Sequence, residues 1–575
     1  DEESLVWTIP ELAGAGASAQ VRYVVNVADD ASGQVVAQGA VATANEWSEP
    51  VETASLLTFV GSGVPIWAIQ GSGMVSPYVR QEASTEGIVI GVFPDLGGFW
   101  IQEEESDDNP ATSAGLFVLA EELDAPVELG DLVRVTGRIR EVSGQTLLGV
   151  TNLDDLTVLA ERSMLPAAVE LDPPMDKAEA RVYYEAREGM LAQVSVPAVA
   201  VGPTTKYGET ALVRSDREIE RVMRGDPSGM LIFFDDGGSS THLDASTLAY
   251  GLKTGDQISA VEGPLAYTYE NYKIEIISLP VITPTATILP ELEPLGPSQF
   301  SIATLNVQDL FDASTPHPED HPIPSTREYV QDLAWTADAI VAMGAPTIVG
   351  LQEVENLEVL ADLAEQETIA QYTYQPYLIE GTDSRGIDNG YLVRGDQAVV
   401  QGATSYPAPE GLTSRPPLLI TATIRINAGE TTVYVLNNHF SSMSGGELPT
   451  EPRRKAQAAW NATLAERILE RDPEANVVVL GDLNSFYESP PLDLLREAGL
   501  RHVYEFDEPE QPYTYIFQGE SETLDHILVT PSLYERLVAV EAVHFNADYP
   551  LPDLDDQSFQ RMSDHDPLVA IFSLR

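Results

Sequence analysis

The sequence predicts a multidomain chain in which N-terminal all-β modules precede an α/β domain made of packed sheets, and three observations carry that expectation. Upstream of about residue 283 the chain is rich in β-branched residues, glycine and short alternating runs, with few convincing helices. A stretch dense in proline and glutamate follows at 284–297. Beyond it, apolar strands alternate with helical stretches such as Thr326–Met343 and Pro452–Arg471, which implies two sheets covered by helices on both outer faces.

Taken in order, residues 1–62 read as a β-rich module, because VRYVVNVAD and GQVVAQGAVAT look like strands of a hairpin. A partial immunoglobulin-like sandwich and an adhesion module are both compatible with them. In residues 63–160 the phrases EGIVIGVF, GGFWIQEEE, ATSAGLFVLA and LGDLVRVTGRIREVSGQTLL resemble an OB-fold domain, a small Greek-key barrel with glycine at its tight bends. Phe99 and Trp100 on one of its strands suit either barrel packing or base stacking. The nearby cluster Glu103, Glu104, Glu105, Asp107 and Asp108 reads as a solvated loop, with calcium binding as the alternative.

Residues 161–283 read as a second, OB-like barrel that opens with the helical stretch Asp176–Arg187 and closes on LKTGDQISAVEGPLAYTYENYKIEI, an echo of LGDLVRVTGRI. The alternation of Tyr267, Tyr269 and Tyr272 fits a half-buried strand or a binding face. Residues 284–298 form the linker, where prolines prevent strand continuation and stiffen the connection. The α/β domain occupies 299–575.

Composition bounds the function. The 575 residues allow three or four domains, and 43% hydrophobic content is ample for their cores. No run of about 18 apolar residues is present, so no membrane span is expected. The chain begins at Asp1 rather than methionine, as a mature product or a trimmed chain would. Absence of cysteine excludes disulfides, thiolate metal sites and cysteine nucleophiles. The net charge of −59, from 90 acidic against 31 basic residues, fits a saline or calcium-containing milieu and argues against nonspecific electrostatic binding of nucleic acid.

The chemistry is concentrated in the last half, in LNVQD (305–309), GLQEVEN (350–356), NNHFSS (437–442), GDLNS (481–485), LDHI (524–527) and SDHDP (563–567). Each joins a carboxylate, amide or imidazole to an apolar run, as a strand end does when it presents polar groups at a sheet edge. Such a set suits phosphoester cleavage, which needs a divalent ion, a base for water and a group that steadies the departing oxygen.

These blocks, in this order over residues 299–575, resemble the endonuclease/exonuclease/phosphatase superfamily, and the upstream modules resemble those of bacterial extracellular nucleases. The resemblance implies a four-layered sandwich of the deoxyribonuclease-like type. It makes Glu353, Asn306 and Asp564 the metal set, for Mg²⁺ with Mn²⁺ or Ca²⁺ as alternatives. Asp482 aligns or deprotonates the attacking water, with Asn484 as its partner on the phosphate. His565, held by Asp525, stabilises or protonates a phosphate oxygen, and His439 assists the leaving group. Arg385 of RGID, Arg415 of SRPPL and Arg454 are the expected substrate contacts, with Gln457 beside the last. Where some members carry an acid two places after the first-strand asparagine, this chain has Gln308, so one essential ion is expected.

His502, His526 and His544 read as ordinary core or surface histidines. The resulting expectation is a secreted or cell-surface, metal-dependent nuclease acting on DNA, with RNA as the alternative polymer and no membrane insertion or obligate protein partner. Phosphomonoesters or phospholipid head groups are the runner-up substrates, and a non-catalytic adhesion protein is the reading from another class.

Overall fold

The computed structural model describes residues 63–575 apart from 121–125, 288, 314–322, 507–511, 554, 556, 557 and 575. Of the first 62 residues it describes only Gly33–Ala37, Val41–Ala42, Val51–Glu52 and Leu56–Val60 as strands; the first pairs antiparallel with the last and the inner two pair with each other. The strand expected at VRYVVNVAD lies outside the described residues.

In the first β unit the strands Glu82–Phe93, Gly98–Gln102, Gly115–Leu119, Gln145–Gly149 and Leu132–Val142 form a closed circuit, because the last pairs with both the first and the fourth. Its interior holds Val89, Phe99, Ile101, Leu116, Val133 and Leu148. Trp100 points the other way, into a second apolar cluster with Phe93, Phe117, Leu191 and Ala266 that joins this unit to the next. Both aromatics are 1% exposed, Phe99 inside the circuit and Trp100 between the two units, so core packing describes them and base stacking does not. Glu103 is likewise structural, its carboxylate accepting the backbone N–H groups of Ile66 and Trp67 at the start of a short helix.

The second unit carries a nine-stranded sheet and the helix Lys177–Glu185, whose N-cap Asp176 accepts from Ala178 and Glu179. It abuts the first unit so closely that a Cβ on Gly115 would lie 2.0 Å from the Gly189 carbonyl carbon, which leaves room for glycine alone. Tyr272 is buried with its hydroxyl on Glu185, and Tyr267 packs against it, so of the three tyrosines only Tyr269 projects fully into solvent. Beyond this unit, residues 284–287 and 289–297 form neither helix nor strand and pack Leu289 and Leu292 on the next core.

Two six-stranded sheets make up the remainder. The first runs in the order Tyr374–Leu378, Asp388–Arg394, Ile348–Val354, Gln299–Leu310, Leu568–Ser573, Leu537–Ala542. The second runs Ala398–Ser405, Leu418–Ile426, Gly429–His439, Asn476–Asp482, Asp525–Val529, Arg501–His502. Between them lies an apolar core including Phe300, Ile302, Ile420, Val435, Leu480 and Phe572. The helices Thr326–Ala342 and Leu357–Ala364 cover the first sheet, and Glu447–Leu469 and Pro490–Glu497 cover the second.

One polar seam crosses the apolar interface. The Asn437 side chain donates to the carbonyls of Leu351 and Gly390 and accepts from Gln352, which in turn accepts from Thr304. The Glu447–Leu469 helix also departs from expectation, starting five residues before Pro452. Pro449 falls in the first turn, where amide hydrogens have no helical partner, and Pro452 just beyond it forgoes a single bond, so the helix runs through both.

Candidate active site

The site lies where the two sheets present strand ends side by side. On the first sheet, Asn306 and Glu353 sit near the ends of the adjacent strands Gln299–Leu310 and Ile348–Val354, whose pairing slips between Asn306 and Leu310. Gln308, Asp309 and Glu353 all take left-handed backbone there, with φ of 53°, 55° and 65°. Such strain costs on the order of 1–3 kcal/mol per residue and persists where the surroundings over-determine it. Its result is local: Gln308 turns to solvent and Asp309 turns inward, its N–H on Glu353 Oε2 at 3.1 Å and its carboxylate 3.4 Å from Arg385. Burial, then the Glu353 charge, push the Asp309 carboxyl up to about 7.

On the second sheet the register aligns His439 with Asp482 and Asp482 with Asp525 across three neighbouring strands. Gly481 makes the close approach feasible, since at its φ of +134° a Cβ would stand 1.9 Å from the Asn438 carbonyl oxygen. Asp564 and His565 arrive on the loop before Leu568–Ser573, where Ser563 Oγ donates to the Asn306 carbonyl and accepts from the His565 N–H.

Asp482 is the hub. Its Oδ1 accepts the Asn484 backbone N–H at 2.9 Å, and its Oδ2 lies 3.2 Å from Asn306 Nδ2, 3.1 Å from Asn484 Nδ2, 3.4 Å from His439 Nε2 and 4.0 Å from His565 Nε2. His565 Nδ1 meets Asp525 Oδ2 at 2.8 Å, and its ring packs on Tyr515 at 4.7 Å between centroids. Burial pushes the Asp482 carboxyl up to about 7, with His565 opposing and Asp525 reinforcing the rise. For His565 burial disfavours the charge, but Asp525 and Asp482 outweigh it and hold the imidazole well above its ordinary value. His439 moves the other way, held well below by burial and then by Arg415, Arg385 and His565. The two imidazoles beside Asp482 are therefore biased oppositely, His565 toward its charged form and His439 toward its neutral form.

Ligand atoms of Asp482, Asp525 and His565 lie within 4.8 Å of one another, a buried group of the kind that can hold a metal ion. Asp525 Oδ1 is buried without a hydrogen-bond partner among the described residues.

The fold thus brings together Asn306, Glu353, His439, Asp482, Asn484, Asp525 and His565, with Asp564 Oδ1 4.0 Å from His565 Nε2. Arg385 reaches Glu353 at 3.5 Å, and Arg415 is anchored by Asp383 and the Phe440 carbonyl. Arg454 is not delivered: it is 2% exposed and folds back onto Thr450 and the Glu447 carbonyl of its own helix, whose early start supplies those acceptors. Gln457 instead braces the loop after His439, accepting from the Ser441 N–H. His502 and His526 are a buried pair at 3.0 Å, and His526 meets the Ser485 carbonyl.

Four contributors escape a motif reading. Asp309 is hidden by the bulge, Tyr515 sits in no motif, and Asn437 and Asp566 stand inside NNHFSS and SDHDP without being singled out. Asp566 accepts three backbone N–H groups, from Phe545, Asn546 and Ala547, and pairs with His544.

Residues 301–500 match the model of the Endonuclease/Exonuclease/phosphatase family. The family match stops short of Asp525, Asp564 and His565, which the fold nonetheless sets against its residues. Residues 160–284 match a model described as a domain of unknown function. No curated protein matches the sequence. Among solved structures the chain is similar to a humanized D. rerio TDP2 (17% identity, 48% of this chain and 99% of that one, TM-score 0.35). It is also similar to an endonuclease/exonuclease/phosphatase from Bacteroides vulgatus (18% identity, 48% and 99%, TM-score 0.35). A mannosyl-6-phosphatase from Bacteroides thetaiotaomicron is a third (16% identity, 47% and 98%, TM-score 0.34).

Proposed function

We propose that this chain is a secreted or cell-surface, divalent-metal-dependent nuclease that hydrolyses phosphodiester bonds of extracellular DNA, with RNA as the alternative polymer. The observation that carries the reading is Asp482 flanked by Asn306, His439 and the Asp525-held His565 within 3.2–4.0 Å, in a family of phosphoester chemistry. Asp482 orients a water and accepts its proton, aided by Asn484, whose N–H fixes the other carboxylate oxygen. His565, kept protonated, presents Nε2–H to a phosphate oxygen. Neutral His439 faces the same centre for the leaving-group side. Arg385 and Arg415 supply the cationic rim.

Oxygen donors suit a hard divalent ion, and the carboxylates of Glu353 and Asp309 beside the Asn306 amide support a place for one. Glu353, Asp564 and Asn306 would hold Mg²⁺, with Asp309 alongside. His565 commits Nδ1 to Asp525 Oδ2 and is biased toward the protonated form, which leaves no imidazole lone pair for an ion, so the Asp482, Asp525 and His565 group fits it less well. When bound, the ion neutralises charge on the scissile phosphate.

The closed five-strand circuit supports an OB-fold for 63–160, and the mostly antiparallel nine-stranded sheet of the next unit is the basis for reading 161–283 as an OB-like barrel. The sheets and flanking helices support a linker at 284–298 and a four-layered, deoxyribonuclease-like sandwich for 299–575. No helix among the described residues is long and apolar enough to cross a membrane.

A second reading, hydrolysis of small phosphoesters, is favoured by the −59 charge, which repels a polyanionic polymer. Cleavage of supercoiled plasmid with Mg²⁺, Mn²⁺ or chelator, and Asp482→Ala as the blank, separates them. Metal-dependent nicking lost in the variant is expected. Turnover of a small phosphoester without nicking would move the substrate to the second class.

A further inference from the structure

The second β unit reaches into the neighbourhood of His565. Its strand Val222–Met223 pairs in parallel with Glu520–Glu522, whose other edge pairs with Tyr515–Phe517. That hairpin backs the proposed acid: Tyr515 packs on the His565 ring, and the Thr514 hydroxyl accepts the N–H groups of Leu524 and Asp525. The Thr514 carbonyl accepts the Asp566 N–H at 2.7 Å.

Arg221, just ahead of the strand, grips this region at three points. It lies 2.8 Å from Asp548 Oδ1 and 2.9 Å from Ser521 Oγ, with its guanidinium 4.0 Å from the centre of the Tyr513 ring. Tyr513 donates to the second Asp548 oxygen at 2.6 Å and stacks on His544 at 3.9 Å. His544 Nδ1 meets Asp566 Oδ2 at 2.8 Å, and Asp566 follows His565 in sequence. An unbroken set of contacts therefore runs from Arg221 through Asp548, Tyr513, His544 and Asp566 to the segment that bears His565.

Exposed ion pairs usually contribute little, but Arg221 and Asp548 are 16% and 18% exposed, and removing Arg221 leaves a mostly buried carboxylate without its cation. Other polar ties cross this seam, Lys177 and Ser228 to Glu520 beside the hairpin turn, Arg224 to Glu447 and to Glu522 opposite Tyr515, and the Thr254 N–H to the Asp548 carbonyl, but Arg221 alone meets the Asp548 carboxylate and the Tyr513 ring together.

We infer that Arg221 is a positioning residue for His565, so that the second β unit is part of the catalytic apparatus rather than a module tethered beside it. The inference rests on the reading of His565 as the group that meets the phosphate. Arg221 touches no reacting atom, so its loss acts on turnover and not on substrate affinity.

The full chain carries the test, with a small activated phosphodiester and Mg²⁺ as the probe. Arg221→Ala is expected to lower kcat about tenfold or more with KM within about twofold, and Arg221→Lys to recover part of the loss. Adding Tyr513→Phe to Arg221→Ala should cost little more, because both act through one set of contacts. A folded Arg221→Ala with unchanged kcat, a loss confined to KM, or fully additive losses would overturn the inference. If Arg221→Ala does not fold, Tyr513→Phe alone decides, by a fall in kcat or by none. Hydrogen exchange gives a readout free of the functional reading: Arg221→Ala should lose protection over 512–525 and 543–548, and unchanged protection there refutes the coupling. Should the wild type hydrolyse no phosphoester, the proposed function fails and exchange alone judges Arg221.

Discussion

A carboxylate set between two imidazoles biased toward opposite charge states shapes the pH behaviour to expect. Asp482 must be ionised to accept a proton, and its carboxyl is pushed up to about 7, so kcat/KM should rise as pH increases through that value. His565 must be protonated and is held well above its ordinary value, so the rate should fall on the alkaline side. Asp525→Asn removes the partner that raises His565 most, which should draw the alkaline limb downward and cut the rate about 10²–10⁴-fold. A pH profile of the variant checks this, and an unmoved alkaline limb would refute the role given to Asp525. Asp482→Ala and His565→Ala should abolish nearly all turnover while thermal unfolding stays close to wild type. The residues of this centre were legible in the sequence because the blocks, in their order, resemble a known family's and that resemblance singles out a position in each. Asp309 was not, because a bulge that rotates two left-handed residues leaves no trace in spacing. Arg454 was misplaced because its helix begins earlier than the proline suggested.

At the scale of single elements, capping and burial set the outcomes. Ser325 accepts the Glu328 N–H and Glu328 accepts the Ser325 N–H, a reciprocal cap at the start of Thr326–Ala342. Ser325→Ala should cost about 1 kcal/mol in denaturant unfolding. On the same helix, burial and then Glu328 raise the Asp332 carboxyl to about 7, against about 3.9 when unfolded. The folded state therefore binds this proton more tightly, and the stability it confers is present at low pH and lost as pH rises through about 7. Asp332→Asn mimics the protonated form, so its melting temperature should exceed that of wild type at pH 8 and match it near pH 4. Equal melting temperatures at pH 8 would contradict the burial argument. The helix Thr326–Ala342 was readable from the sequence to within a residue, whereas the pairing of Val222–Met223 with Glu520–Glu522 joins residues about 300 apart and no local pattern encodes it.

For the molecule as a whole, charge is the dominant fact. At −59 the protein repels a polyanionic substrate until salt shortens the reach of its field, from about 30 Å at 0.01 M to about 8 Å at 0.15 M. Plasmid cleavage should therefore accelerate several-fold between those ionic strengths while hydrolysis of a small diester stays flat. Inhibition of plasmid cleavage by the same salt, the behaviour of basic nucleases, would show that a local cationic cleft governs encounter instead.

The amide of Asn437 has a mechanical meaning at this scale. Apolar faces adhere without preferring one alignment, and half of the chemistry rides on each sheet, Asn306 and Glu353 on one and His439, Asp482 and Asp525 on the other. Sliding one face along the other would keep much of the adhesion while stranding Asn437, Gln352 and two backbone carbonyls in a dry interior, at about 1–3 kcal/mol for each group. That amide acts as a shear pin, and the alignment of the two half-sites is set two residues before His439 and Asp482 on their strands.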